Sequence, residues 1–229
     1  MKKNIVLIHG WGANTQKLEP LEFELEKLKW KVLLTKLPGF DLKPPSKPWS
    51  VEDYSDFVFG KASAKFGNFV VFGHSFGGRV AVDMVTKHDN VTEIVLCATS
   101  GITRGNLLKR YAIQTAAKLG KPLVSSKYKK LLYKVAREHD YEKVDGVMKE
   151  TFKKVIRYSI KTRLSKLDKE ILILWGSEDK MTPTKDAKYI EDNTERAKRI
   201  VYDGFGHTLP YVHGLRLAKD IDLWYTQLK

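Results

Sequence analysis

Short unbroken apolar runs alternate along this chain with stretches whose apolar residues recur every three or four positions. The runs are Lys3 to Ile8, Lys31 to Leu37, Phe69 to Phe72, Val91 to Ala98, Ile171 to Trp175 and Arg199 to Tyr202. Each has the length of a strand and lacks the apolar–polar alternation of a sheet with one wet face, so both faces are expected to be covered. Between the runs, Leu18, Leu21, Leu25 and Leu28 keep helical spacing. Ser50 with Asp53 forms a variant of the capping box and opens a helix through about Phe66. Further helices are expected over Gly78 to Lys87, Thr184 to Asp192 and Leu215 to Leu228. The proline-rich stretch LPGFDLKPPSKPW is a loop. Strands alternating with helices predict an α/β fold, a mostly parallel sheet with helices on both faces.

One segment breaks the alternation. From Gly101 to Asp168, Leu107, Leu108, Tyr111 and Ala112, then Leu131, Leu132 and Val135, then Val147, Phe152, Val155 and Ile156 recur at helical spacing with no strand between them. Three or four helices inserted between two strands would form a lid over the strand ends. The expected organisation is therefore a core from 1 to 100, a helical lid from 101 to 168, and the rest of the core from 169 to 229. Charge singles out the same segment. The chain carries a net charge of +14, and residues 101–168 hold 18 Lys and Arg against 6 Asp and Glu, a surplus of twelve.

Composition narrows the class further. With 42% hydrophobic residues the chain can bury a sizeable core, and no apolar stretch reaches the roughly 18 to 20 residues that span a bilayer. The N-terminal apolar run, Ile5 to Ile8, is shorter than the roughly 7 to 15 residues of a signal core. It reads as a first strand, and a cytoplasmic location is expected. The single cysteine, Cys97, has no partner within the chain and sits in an apolar run, which points to a buried strand residue. No nucleic-acid-binding motif accompanies the basic segment, and charge alone is only an electrostatic footprint, so no nucleic-acid partner is expected.

The chemistry lies where the third run ends. Gly73-His74-Ser75-Phe76-Gly77 matches G-x-S-x-G between a strand and a helix. A strand that reverses sharply into a helix strains the serine backbone and crowds its neighbours, so glycine is needed two residues to each side. The turn exposes the hydroxyl at the carboxyl end of the sheet and aims the helix N-terminus at the reacting carbonyl.

A serine hydroxyl needs a base, and the base needs an orienting group. Of the six histidines, His88 lies at a polar helix end, His139 in a charged cap turn, and His213 at the start of the terminal helix. His74 points away from the elbow, and His9 braces the loop after the first strand. His207, in the glycine-loosened loop Gly204-Phe205-Gly206-His207-Thr208 after the last strand, is the best base. The acid should end the preceding strand, where ILILWGSEDKMTP supplies Asp179 with Glu178 beside it. Asp203, only four residues before His207, is a weaker candidate. The oxyanion donors are expected to be the backbone N–H groups of Phe76 and of Trp11, the latter in His9-Gly10-Trp11-Gly12. Neither a metal nor a cofactor is expected.

With HGWG, GHSFGG, GSEDKMTP and GHTLP in this order, the chain resembles the α/β-hydrolase superfamily along essentially its whole length. The order Ser75, Asp179, His207 is the one that superfamily uses. The resemblance is to the lidded carboxylesterase branch, including the methyl ester esterases that act on pimeloyl groups held by acyl carrier protein. It extends to the carbon–carbon bond hydrolases of aromatic degradation. Serine as nucleophile argues against the dehalogenases and epoxide hydrolases of the superfamily. Two departures from the resemblance are expected: the two leading strands of many members are absent before the strand that precedes the oxyanion loop, and prolines replace the usual glycine-rich loop near LPGFD.

Three functions follow as expectations. The first is a serine hydrolase of small-molecule carboxylic esters working through an acyl-enzyme. The second is a narrower form of it, in which the basic lid docks an acidic carrier protein bearing an ester or thioester. For that docking the pairs Lys129-Lys130 and Lys153-Lys154, with Arg157, Lys161 and Arg163, should lie on faces away from the apolar stripe. The third, of another class, is a non-catalytic binding module on a hydrolase fold.

Overall fold

A computed structural model describes residues 3–102 and 146–228. Six strands form one sheet: β1 (Asn4–Ile8), β2 (Lys31–Leu34), β3 (Phe69–His74), β4 (Val91–Cys97), β5 (Glu170–Gly176) and β6 (Ala197–Tyr202). Their order is β2-β1-β3-β4-β5-β6, and every neighbouring pair is parallel. The order reverses at β1 and β3, and the crevice at the carboxyl ends of such strands is where open α/β sheets place their ligands.

The unbroken apolar runs are explained by cover on both faces. Val6 and Ile8 of β1, Val71 of β3, Ile94 and Leu96 of β4, and Ile171 and Ile173 of β5 enter one core. That core also takes Tyr54 and Val58 of α2 (Val51–Ser63), Val80 and Met84 of α3 (Phe76–Val85), and Ala187 and Ile190 of a later helix, Thr184–Asp192. The alternate residues Ile5, Leu7, Val70, Phe72, Val95, Cys97, Leu172 and Leu174 enter the other core. There they meet Leu21 and Leu25 of α1 (Glu19–Lys27), and Leu217, Ile221 and Trp224 of the last helix, Gly214–Gln227. Cys97 is fully buried, and burial pushes its thiol well above the ordinary range.

Local signals act as expected at several ends. Ser50 caps α2: its Oγ accepts from the Asp53 amide at 3.2 Å, and the Ser50 amide donates to Asp53 Oδ2 at 2.7 Å. Strand β2 stops at Leu34, three residues short of the apolar run, because the Leu37 carbonyl turns to take the amides of Phe40, Asp41 and Leu42. Its side chain stays buried, so the pattern reads as strand where the backbone has already turned. Strand β3 runs on to His74 and α3 starts at Phe76. One residue, Ser75, therefore carries the whole reversal.

The helical spacings at Leu107 to Ala112 and Leu131 to Val135, the pair Lys129-Lys130, and His139 lie outside the described residues. The later part of the 101–168 segment forms α4 (Val147–Arg157) and α5 (Lys161–Leu164). Val155, Ile160, Leu164 and Leu167 pack into the same core as α3. The half-buried Arg79 of α3 ties this segment down. Its Nε donates to Ser100 Oγ at 2.9 Å, and its Nη1 donates to the carbonyls of Val155 and Tyr158. Burial lowers its guanidinium to about 10. Among the basic residues expected to face outward, Lys154 and Arg157 are exposed. Arg163 departs from that expectation. It is half-buried, its Nη2 3.5 Å from both the buried Asp83 Oδ1 and Glu52 Oε1 and its guanidinium 4.4 Å from the Tyr158 ring centroid.

Two glycines set how close α3 lies to the sheet. A Cβ on Gly77 would stand 2.3 Å from the Ile8 carbonyl oxygen, and one on Gly73 2.4 Å from the Gly77 oxygen. Both neighbours are backbone and have no rotamer to yield. Gly77→Ala is expected to force α3 off β1 and destabilise the protein by about 1–3 kcal/mol or more. Thermal unfolding measures this, and an unchanged Tm would show that the helix is not held at that distance.

Candidate active site

Ser75 sits between β3 and α3 with φ 53° and ψ −108°, a conformation that a residue with a Cβ rarely adopts. Such strain costs on the order of 1–3 kcal/mol and persists only where the surroundings enforce it. Here they do. The Ser75 amide donates to the Cys97 carbonyl at 3.0 Å, and its own carbonyl accepts from the amides of Gly78 and Ser100, each at 3.1 Å. The side chain is thereby fixed at the carboxyl end of the sheet, at the N-terminus of a ten-residue helix.

The loop after β5 carries Asp179, the expected acid. Asp179 is only 4% exposed, whereas its neighbour Glu178 is exposed. Asp179 Oδ1 accepts from the amides of Met181 and Thr182 at 2.8 and 2.9 Å. Its Oδ2 lies 2.7 Å from Thr182 Oγ1 and 2.8 Å from His207 Nδ1. Burial alone would raise this carboxyl. The His207 and Thr182 donors outweigh it and hold the group below the usual carboxylate range. An ionised carboxylate only accepts, so the proton of a neutral His207 belongs on Nδ1 and Nε2 is left with a lone pair. Asp203 is engaged elsewhere, accepting from Ser177 Oγ at 3.0 Å. Among the described residues, neither Glu178 nor Asp203 bonds to His207.

The structure thus brings Asp179 and His207 together as a bonded pair. No hydrogen bond joins Ser75 to His207 among the described residues. The nearest link is His74, whose Nε2 lies 2.8 Å from the His207 carbonyl oxygen and whose ring centroid is 4.9 Å from that of His207. His74 therefore points toward the loop that carries His207, a contact that its place beside the serine did not suggest.

The loop after β1 faces the elbow. His9 braces it: Nε2 lies 2.9 Å from Asp41 Oδ2, and Asp41 also accepts from the amides of Thr15 and Leu37 and from the Thr15 hydroxyl. Burial would raise the Asp41 carboxyl, but these donors hold it low. Trp11 and Phe76, the two expected oxyanion donors, pack their rings edge to face with centroids 5.5 Å apart. Among the described residues neither backbone amide has a hydrogen-bond partner. Phe40 and Phe152 also pack on Trp11, at 4.9 and 5.0 Å, so an apolar wall stands beside these donors.

Thr182 and Asp41 escaped the sequence reasoning. For Thr182 the signal was present, since a threonine three residues after an aspartate in a loop is a local side-chain-to-backbone turn pattern. Asp41 carried no such signal, because its histidine partner is 32 positions away. No group of three or more His, Cys, Asp or Glu among the described residues could hold a metal ion. No helix among them is long and apolar enough to cross a membrane.

Comparison with known proteins agrees with this architecture. A pimeloyl-[acyl-carrier protein] methyl ester esterase of Neisseria meningitidis serogroup C is 25% identical over 227 residues, covering 90% of this chain and 86% of its own. Two solved structures share the fold. A thermophilic esterase from Thermogutta terrifontis superposes with a TM-score of 0.75 at 18% identity, covering 99% of this chain and 90% of its own. A meta-cleavage product hydrolase from Pseudomonas fluorescens IP01 reaches 0.72 at 17% identity, covering 99% and 92%. Residues 3–214 match the profile described as alpha/beta hydrolase fold, and with its parallel sheet and strained serine turn the chain belongs to the α/β-hydrolase family.

Proposed function

We propose that the protein is a serine hydrolase of carboxylic esters, with Ser75 as nucleophile, His207 as base and Asp179 as the orienting acid. The observation that supports this best is the 2.8 Å pair between Asp179 and His207 Nδ1, which leaves Nε2 free to take a proton. His207 removes the Ser75 proton as Oγ attacks the ester carbonyl, and the oxyanion that forms takes hydrogen bonds from the Trp11 and Phe76 amides. Collapse breaks the bond to the alcohol, and imidazolium His207 returns the proton to that leaving group. Water, deprotonated by the same histidine, then attacks the acyl carbonyl; the bond to Ser75 Oγ breaks, His207 returns the proton to Oγ, and the acid leaves. The bound substrate closes the Ser75–His207 contact, as catalytic hydrogen bonds often tighten only in the complex.

A narrower reading is supported by charge. Residues 101–168, acting as a lid, carry twelve of the fourteen surplus positive charges. Lys154 and Arg157 are exposed within them, and a relative acts on an ester held by acyl carrier protein. An acidic carrier is therefore the favoured partner, with the basic surface raising its encounter rate. The test compares kcat/KM for a carrier-linked acyl methyl ester and for a neutral short-chain ester as salt rises from about 0.1 M to about 1 M, over which screening shortens from about 10 Å to about 3 Å. The first should fall steeply and the second stay nearly flat, and Lys154→Glu with Arg157→Glu should depress only the first. Equal responses would leave a general esterase with a solvated basic face. No turnover of either ester would overturn the hydrolase itself.

A further inference from the structure

We infer that His74 and Tyr211 are positioning residues that couple the oxyanion loop to the base, through a one-way chain of hydrogen bonds from the Gly10 amide to the His207 carbonyl. This inference rests on the esterase reading above. Tyr211 belongs to the short helix α7 (Leu209–Val212), which follows Thr184–Asp192 as α6 and precedes the last helix, α8. The Gly10 amide lies 3.3 Å from Tyr211 Oη, Tyr211 Oη lies 2.8 Å from His74 Nδ1, and His74 Nε2 lies 2.8 Å from the His207 carbonyl oxygen.

The two ends set the direction of every proton between them. An amide N–H can only donate, and a carbonyl oxygen can only accept. For a neutral His74, Nε2 must then carry the proton and give it to His207 O. Nδ1 accepts from the Tyr211 hydroxyl, whose oxygen in turn accepts from Gly10. A doubly protonated imidazole would break this order by turning Nδ1 into a donor and leaving the tyrosine proton without its partner. Burial opposes that form, holding His74 down to about 3, and the His207 and His9 rings oppose it too, against contrary pulls from the His207 carbonyl and from Asp179.

The chain joins the loop after β1, the last residue of β3, and the loop and short helix that follow β6. Gly10 directly precedes Trp11, the proposed oxyanion donor, and His74 directly precedes the nucleophile. The far end grips the backbone of the base. The fit is close: a Cβ on Gly10 would stand 3.0 Å from His74 Nδ1 and 3.1 Å from Tyr211 Oη. Neither side chain need touch substrate, so both act through their neighbours. A shift of about 1 Å at a reacting group can cost about a hundredfold in rate.

Two measurements test this. In the wild-type protein labelled with ¹⁵N-histidine, His74 should show a protonated Nε2 and a bare Nδ1, unchanged between about pH 5 and 8. An Nδ1–H form, or titration in that window, would overturn the chain of bonds whether or not the protein hydrolyses esters. Kinetically, Tyr211→Phe keeps the ring and removes only the hydroxyl. It should lower kcat for a neutral ester about 10- to 100-fold with KM little changed, the signature of a contact felt in the transition state. His74→Gln retains a donor for the His207 carbonyl and should keep more kcat than His74→Leu at matched Tm. An unchanged kcat in Tyr211→Phe, or losses that simply follow Tm, would overturn the coupling. If the variants do not fold, the tautomer in the wild type decides. Failure of the esterase reading would appear separately, as a wild-type protein that a serine-directed probe does not label.

Discussion

A fluorophosphonate probe is expected to label the wild-type protein at Ser75, and Ser75→Ala to abolish labelling without loss of fold. The prediction follows from the way the hydroxyl is held. The residue's backbone is locked in a strained turn by three main-chain hydrogen bonds, none of which uses the side chain, so removing Oγ costs little stability. Circular dichroism and Tm should therefore match the wild type. His207→Ala should lower turnover by several orders of magnitude, as loss of a triad base does when the groups act as a unit. Equal labelling of the Ser75→Ala protein would move the nucleophile elsewhere.

Asp179→Asn is expected to reduce kcat by about 10⁴-fold while the protein still folds. The carboxylate now takes four donors, two on each oxygen. An amide in its place can satisfy two of them with its oxygen but presents an NH₂ to the others. Facing His207 Nδ1, that NH₂ favours the tautomer with the proton on Nε2, which cannot accept from Ser75. Glu178→Gln should change kcat little, since that side chain is exposed, and Asp203→Asn should do the same because it serves Ser177. If Asp203→Asn alone abolished activity, the acid would belong to the loop after β6 instead.

What could be read beforehand was whatever the chain expresses locally. The elbow is five consecutive residues whose glycines answer to crowding within the same turn, and the Asp179 loop and the His207 loop each follow an apolar run. The capping box at Ser50 spans four residues and was equally plain. Element ends were harder to place. The apolar pattern ends the third strand at Phe72 and begins the next helix at Gly78, yet the strand continues through Gly73 to His74 and the helix already begins at Phe76, because the close approach of helix and sheet uses both glycines within regular structure. Contacts between distant residues left no trace in any window. His74 meets Tyr211 across 137 positions, and Arg163 answers a buried Asp83 on a different helix. A cation on an amphipathic stretch looks solvated until its partner is known.

The segment that leaves β4 and returns before β5 is closed at its base. The Ile160 amide donates to the Gly101 carbonyl at 3.1 Å, and Ser159 Oγ reaches the same oxygen at 3.2 Å, across 58 positions of sequence. Arg79 adds a second fastening from beneath, to the carbonyls of Val155 and Tyr158. With the ends pinned, the free energy of closing whatever chain runs between them rises only with the logarithm of its length, about 0.6 kcal/mol per doubling. The parallel pairing of β4 with β5 is thus insulated from changes in that length. The intervening length can therefore change while the strained serine and its neighbours keep their positions.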